Sequence, residues 1–285
     1  MIVTVPLRVA LGFATTLLMS SLAIEACAQD ASAHDASPWL RDGHSAVRLL
    51  AGSRSGAVLL GGIAFQLQPG WKTYWRTPGD SGVPPRFDFS KSENIEAVTV
   101  LWPAPMKFDD GAGGHSLGYH DQVVLPLRIV AKNTDKPVTL RAAVNYAICD
   151  KLCIPVEADV ELAFTSVAST EDSALFAALD TVPKPANVGD PNPLTIRDVK
   201  REGKSAVLVD VVAPSEAGNI SLFVEGPTPD WALPVPKLLE HSPPGVKRFT
   251  FELDGLPPDT KPEGAALKLT LTGGDRSYEF NINLE

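Results

Sequence analysis

The stretch Val138-Thr139-Leu140-Arg141-Ala142-Ala143-Val144-Asn145-Tyr146-Ala147-Ile148-Cys149 is followed, after Asp150, Lys151 and Leu152, by Cys153-Ile154-Pro155-Val156-Glu157-Ala158-Asp159-Val160-Glu161-Leu162-Ala163-Phe164. Every second residue is apolar, first from Val138 to Ile148 and again from Ile154 to Phe164, the pattern of two strands with one buried face each. Closed as a hairpin over the three intervening residues, the strands set Ile148 opposite Ile154, Tyr146 opposite Val156 and Val144 opposite Ala158. The apolar positions coincide, and the polar face then sets Arg141 opposite Glu161, Ala143 opposite Asp159, Asn145 opposite Glu157 and Cys149 opposite Cys153. Opposed residues have Cα atoms about 4.5–5.5 Å apart, inside the disulfide window of about 4.4–6.8 Å. One continuous strand would separate the cysteines by about four rises of 3.4 Å. Pro155 has no N–H, so its pairing with Ala147 is expected to be non-hydrogen-bonded, and the cysteine pair shares that closer type. Three-residue loops usually carry Gly or Asn in the left-handed position, so Leu152 predicts an irregular or strained loop. A single helical turn would also join the cysteines, but Pro155 and the β-branched flanks disfavour it.

Outward from this hairpin the chain keeps the same character. Ala46 to Leu67 reads as strand material broken by glycines, and short strands are predicted over Ile95 to Trp102 and Gln122 to Ala131. Between them, Gly70 to Gly82 is dense in aromatics and turn residues: Trp71, Tyr74 and Trp75 read as packing under a loop or as a partner surface, and Asp80 as a turn cap. With 22 glycines and 25 prolines in 285 residues, the reading is an antiparallel β-sandwich. Ser169 to Leu179 is the one predicted helix, with Ser169 or Thr170 as N-cap. Thr181 to Pro193 holds four prolines and reads as a linker with no packed element. Strands over Leu194–Val199, Ala206–Val212, Ile220–Val224, Arg248–Leu253, Leu267–Leu271 and Tyr278–Leu284 predict a second, smaller sandwich. The expected organisation is all-β: a first domain over 29–180, the linker over 181–193 and a second domain over 194–285.

The net charge of −9 argues against nucleic acid or anionic lipid as the main partner, because phosphate binding needs clustered Lys and Arg. Residues 1–28 read as a secretory signal peptide: Arg8, an apolar run from Val9 to Ile24, then Ala26-Cys27-Ala28 before a cut ahead of Gln29. The run is short for a transmembrane anchor and Glu25 interrupts its end. Acylation at Cys27 is a poorer fit, with Glu25 two positions before it. Cleavage leaves Cys149 and Cys153 as the only cysteines, placed by export in an oxidising compartment where a disulfide is expected. One short-range bridge contributes little to so large a core, so chemistry rivals stapling.

The run Asn145 to Pro155, preceded by Gly118-Tyr119-His120-Asp121 and Val124-Leu125-Pro126, resembles the N-terminal periplasmic domain of the thiol:disulfide interchange protein DsbD. It is closer to the related ScsB-type proteins linked to copper tolerance, which share the aromatic stretch from Gly70 to Gly82 and the Trp102-Pro103 pair. The resemblance covers most of residues 40–165 and more loosely the second domain. It implies an immunoglobulin-like, periplasmic domain that shuttles electrons by dithiol–disulfide exchange, in copper tolerance or cytochrome c biogenesis, with no cofactor. The partners implied are an oxidised periplasmic thioredoxin-like protein and a membrane or thioredoxin-like donor. No membrane span or Cys-x-x-Cys domain follows, so the donor is expected to be a separate polypeptide. By the family pattern Cys153 forms the mixed disulfide with the partner and Cys149 resolves it. The family's cap loop maps to Asp109–Tyr119, with Asp109, Asp110, Ala112, His115, Leu117 and Tyr119 as shielding candidates. Here its aromatic cap residue is replaced near Ala112, and Gly111, Gly113 and Gly114 predict a mobile loop in which His115 or Leu117 shields instead.

Exchange chemistry needs an accessible thiolate, which Lys151 favours and Asp150 opposes. Two other readings compete. One is a β-sandwich in which a purely structural disulfide pins the hairpin, or which acts only as an interacting scaffold for a partner. The other is a copper- or zinc-binding module using Cys149, Cys153, His115 and His120, although the spacing matches no closed tetrahedral site. His44 and His241 read as solvated. No phosphate loop, HExxH or Ser-His-Asp order supports hydrolase or kinase chemistry.

Overall fold

The computed structural model describes residues 1–2, 34–111, 113–165 and 168–285. The signal-peptide reading, including Cys27, falls outside the described residues from residue 3 onward, and no helix among the described residues is long and apolar enough to cross a membrane. Strands β1 (Leu40–Asp42), β2 (Ser45–Ser55), β3 (Val58–Leu67), β4 (Lys72–Gly79), β5 (Arg86–Asp88), β6 (Ile95–Val100), β7 (Met106–Asp109), β8 (His115–His120), β9 (Gln122–Ala131), β10 (Val138–Cys149) and β11 (Cys153–Phe164) build two antiparallel sheets. One sheet runs β1-β2-β3-β9-β6; the other runs β11-β10-β4-β8-β7, with β5 also on β10. The β10–β11 ladder is unbroken from Cys149 opposite Cys153 to Val138 opposite Phe164, the register that the apolar alternation dictates.

The two sheets close over one core. Val138, Leu140, Val144 and Ile148 from β10 meet Leu49, Ile63, Leu127 and Ile129 from the first sheet, all at 1% exposure or less. At about 1.5–3 kcal/mol for each fully buried aliphatic or aromatic side chain, this alternation holds the hairpin in register. The first sheet's outer face is covered by the helix α1 (Asp172–Asp180) through fully buried Leu175, which packs on Leu50 and Ala64. Two glycines make that approach possible: a Cβ at Gly52 or Gly62 would lie 2.6 or 2.7 Å from a Leu175 methyl.

The helix begins later than the sequence suggests. Glu171 occupies the N-cap position without a side-chain cap, because the polar groups before it are used elsewhere. Ser169 Oγ bonds the Ala51 carbonyl and accepts from the Glu171 N–H, while Asp172 Oδ1 accepts from the Ser53 N–H. These contacts tie the turn to β2.

Beyond the helix come β12 (Lys184–Ala186), β13 (Thr195–Glu202), β14 (Ala206–Val212), β15 (Ile220–Glu225), β16 (Lys237–Leu238), β17 (Lys247–Glu252), β18 (Ala266–Gly273) and β19 (Arg276–Asn283). They form sheets in the orders β12-β19-β18-β15 and β13-β14-β17-β16. The proline-rich stretch does hold an element: β12 pairs in parallel with β19. As the edge of its sheet it tolerates Pro185, whose missing N–H costs nothing on the open side.

The two pairs of sheets meet at β4. Trp75 is fully buried and lies 6.0 Å from the Phe223 ring of β15, and Phe223 and Val235 join the first core. Arg76 donates to both Glu225 carboxylate oxygens at 2.9 and 2.7 Å and to Glu279 at 2.6 Å. Burial opposes the Arg76 charge, but the hydrogen bonds and charges of Glu225 and Glu279 outweigh it and raise its pKa.

Candidate functional site: a cysteine pair beside a buried tyrosine

Two ladders place the cysteines in a row. Cys149 is opposite Cys153 on one side and Lys72 on the other, and Lys72 is opposite His120. Cross-strand partners share a face, so these four residues line the outer face of the sheet. Cys149 and Cys153 form a disulfide with Cα atoms 4.2 Å apart. The loop between them uses no left-handed residue, since none of Asp150, Lys151 and Leu152 has positive φ. Leu152 therefore does not carry the strain that its place in a three-residue loop predicts.

The sulfurs are not equivalent. Cys149 is 8% exposed and packs with Tyr74 and Ala147, whereas Cys153 is exposed. The Tyr74 hydroxyl lies 3.2 Å from Cys153 Sγ. A disulfide sulfur has no proton to give, so tyrosine is the donor. Burial raises the Tyr74 pKa, which keeps that proton in place. Tyr74 is itself nearly inaccessible at 3% exposure. Its ring is overlain by Gly82, where any Cβ would collide with the ring carbons.

Lys72 stands beside Cys149 but reaches the other way. Its Nζ donates to Ser116 Oγ at 2.9 Å and sits 5.2 Å from the Phe108 ring centroid. Asp150 and Lys151 are both exposed.

The expected cap is a strand hairpin, β7–β8, rather than a loop. Leu117 and Tyr119 are corrections to the sequence reading: both point into the core at 2% and 6% exposure, and the Tyr119 hydroxyl donates to the Pro103 carbonyl. Strand alternation is the reason, since Gly118 and His120 take the cysteine face of β8. His115 is engaged beside the hairpin's turn, with Nε2 3.1 Å from Asp109 Oδ1 and its backbone N–H donating to Asp80 Oδ2 at 2.8 Å. Asp110 closes the turn by accepting from the Gly114 N–H, and Ala112 lies outside the described residues. His120 pairs with Asp121. The structure thus brings Tyr74, not Leu117 or Tyr119, to the disulfide.

The other aromatic and histidine readings also resolve. Trp71 stacks on His44 with ring centroids 4.2 Å apart, and His44 Nδ1 meets Gln68 Oε1, so His44 is not simply solvated. Tyr74 beside the disulfide and Gly82 over the tyrosine ring carry no sequence signal that pairs them with the cysteines. Period two in Thr73-Tyr74-Trp75 puts Tyr74 on the face opposite Trp75, but only the β4–β10 pairing shows that this face carries the cysteines.

Residues 46–165 match the family model of the thiol:disulfide interchange protein DsbD, N-terminal. The fold is similar to that of the N-terminal periplasmic domain of ScsB from Proteus mirabilis, with a TM-score of 0.71 and 22% identity, covering 88% of this chain and 98% of that one. This likeness shows the immunoglobulin-like fold. A yeast GGA1 GAE domain (10% identity, 44% of this chain, 96% of that chain) and a conserved domain protein from Bacillus anthracis (10%, 82%, 75%) align at TM-scores of 0.25, too low to bear on the fold. No curated protein matches the chain.

Proposed function

We propose that the protein is a periplasmic thiol–disulfide exchange protein, exported by residues 1–28, whose Cys149–Cys153 pair passes electrons to an oxidised thioredoxin-like partner. The first pair of sheets serves as the redox domain and the second as a smaller sandwich packed against it. In the reduced state the Cys153 thiolate attacks a partner sulfur, forming a mixed disulfide and expelling the partner's other sulfur as a thiolate. The Cys149 thiolate then attacks Cys153 Sγ, the internal disulfide forms and the second partner sulfur leaves. Two electrons reach the partner, whose two thiolates take up protons from solvent. A separate membrane or thioredoxin-like donor returns the pair to the dithiol.

The observation that carries this reading is the asymmetry of the pair. Cys153 is exposed and accepts a hydrogen bond from Tyr74, while Cys149 lies buried behind it. A hydrogen bond to a sulfur is stronger when the sulfur is a thiolate, so Tyr74 favours the attacking form of Cys153. The DsbD-type family match over residues 46–165 supports the same chemistry. Trapping tests it. Cys149→Ala is expected to accumulate a mixed disulfide with an oxidised periplasmic thioredoxin-like protein, and Cys153→Ala is not. Accumulation with Cys153→Ala alone reverses the roles, and accumulation with neither removes the proposal.

A further inference from the structure

A cleft of about 1240 Å³ opens between the two pairs of sheets, larger than the roughly 300–1,000 Å³ of small-molecule pockets. Its walls include three strand edges. β7 pairs only with β8, β15 only with β18 and β16 only with β17 among the described residues. Met106 of β7, Ile220 to Leu222 of β15 and Leu238 of β16 all line the cleft. An open edge presents unpaired N–H and C=O groups in strand register, the feature that an added extended segment uses.

The side chains narrow the choice of segment. Met106 and Leu238 are about half exposed, at 50% and 49%, and give apolar contacts. Lys107, Lys237 and Lys247 line the same walls, and none has an ion-pair partner among the described residues. Against them stands Asp180; Asp275 is matched by Arg276 beside it. A chain of net charge −9 therefore turns a cationic cleft toward solvent. Charge complementarity across an interface steers encounter and rejects like-charged segments. We infer that this cleft docks an extended acidic segment of a partner protein, added as a strand beside the half-buried Ile220 and Ser221, with Leu222 forming the buried floor.

The inference does not depend on the redox chemistry, and its test separates the two. The probes are a fluorescein-labelled peptide of about ten alternating glutamate and valine residues and its lysine–valine counterpart. Binding to the full oxidised protein is followed by anisotropy and by amide chemical-shift mapping. The acidic peptide is expected to bind, to shift amides along Ile220–Leu222 and Lys237–Leu238, and to weaken as salt rises. The combined change Lys107→Glu, Lys237→Glu and Lys247→Glu should lower its affinity by about tenfold or more, while Cys149→Ser with Cys153→Ser should leave it unchanged. Equal binding of both peptides, shifts confined to other surfaces, or no binding at about 1 mM would each overturn the inference without touching the exchange reading.

Discussion

Removing one oxygen isolates the role of Tyr74. Tyr74→Phe keeps the ring that packs on Cys149 and Ala147 and deletes only the donor 3.2 Å from Cys153 Sγ. A hydrogen bond to a charged group is worth about 1.5–3 kcal/mol, and each pKa unit is about 1.4 kcal/mol. The donor stabilises thiolate over thiol, so its loss raises the Cys153 pKa. Alkylation of the reduced protein by iodoacetamide as a function of pH reads this directly, and an unchanged pKa denies Tyr74 any electronic role. Gly82 is tested by steric means. Its φ of +128° disfavours an L side chain, and a Cβ would drive into the Tyr74 ring. Gly82→Ala should therefore push the ring off the disulfide, at about 1–3 kcal/mol of stability. Reduction of the disulfide by dithiothreitol should quicken in that variant. An unchanged rate would mean that Tyr74 does not limit access.

The β10–β11 hairpin was legible almost to the residue, because twelve consecutive pairs obey one alternation and a one-residue slip would expose every apolar side chain at once. The glycine-marked strands and those of the second sandwich followed for the same reason. Three other features depend on tertiary partners. Leu117 and Tyr119 look like cap residues until β8 is known to pair with β4, which fixes the face each one takes. The helix start moved because Ser169 and Asp172 found partners in β2 rather than in their own helix. Pro185 entered a strand because an edge was available on β19. The hairpin also allows a test of what the bridge contributes. Its cysteines are four positions apart, and chain entropy assigns a loop that short about 2 kcal/mol. The double change Cys149→Ser and Cys153→Ser should stay folded, with denaturant unfolding showing a loss of that size. A loss beyond about 5 kcal/mol would make the bridge chiefly structural and weaken the exchange reading.

At the scale of the whole molecule, one strand links the disulfide to the second pair of sheets. β4 carries Tyr74 beneath Cys153, Trp75 against Phe223 and Arg76 between Glu225 and Glu279, three consecutive residues with three different neighbours. Thr77 adds a hydrogen bond to Glu225, and Lys268 is the other cation on Glu279, at 3.1 Å. The side chains of Arg76, Glu225 and Glu279 are only 21%, 13% and 22% exposed, so the charges are poorly hydrated and depend on one another. Arg76→Met would remove the guanidinium, which also lies 4.6 Å over the Trp75 ring, and leave Glu225 and Glu279 facing each other with Lys268 alone. Breaking a fully buried ion pair from one side costs about 3–5 kcal/mol, and the residual exposure here moves the expected loss toward 2–3 kcal/mol. Neutralising the acids as well, with Glu225→Gln and Glu279→Gln, should recover part of that loss, because the stranded charges and not the missing contact dominate it. If β4 transmits the clamp, Arg76→Met should also speed reduction of the disulfide, since Tyr74 is two residues away on the same strand. A stability loss with an unchanged reduction rate would confine the network to holding the sandwiches together.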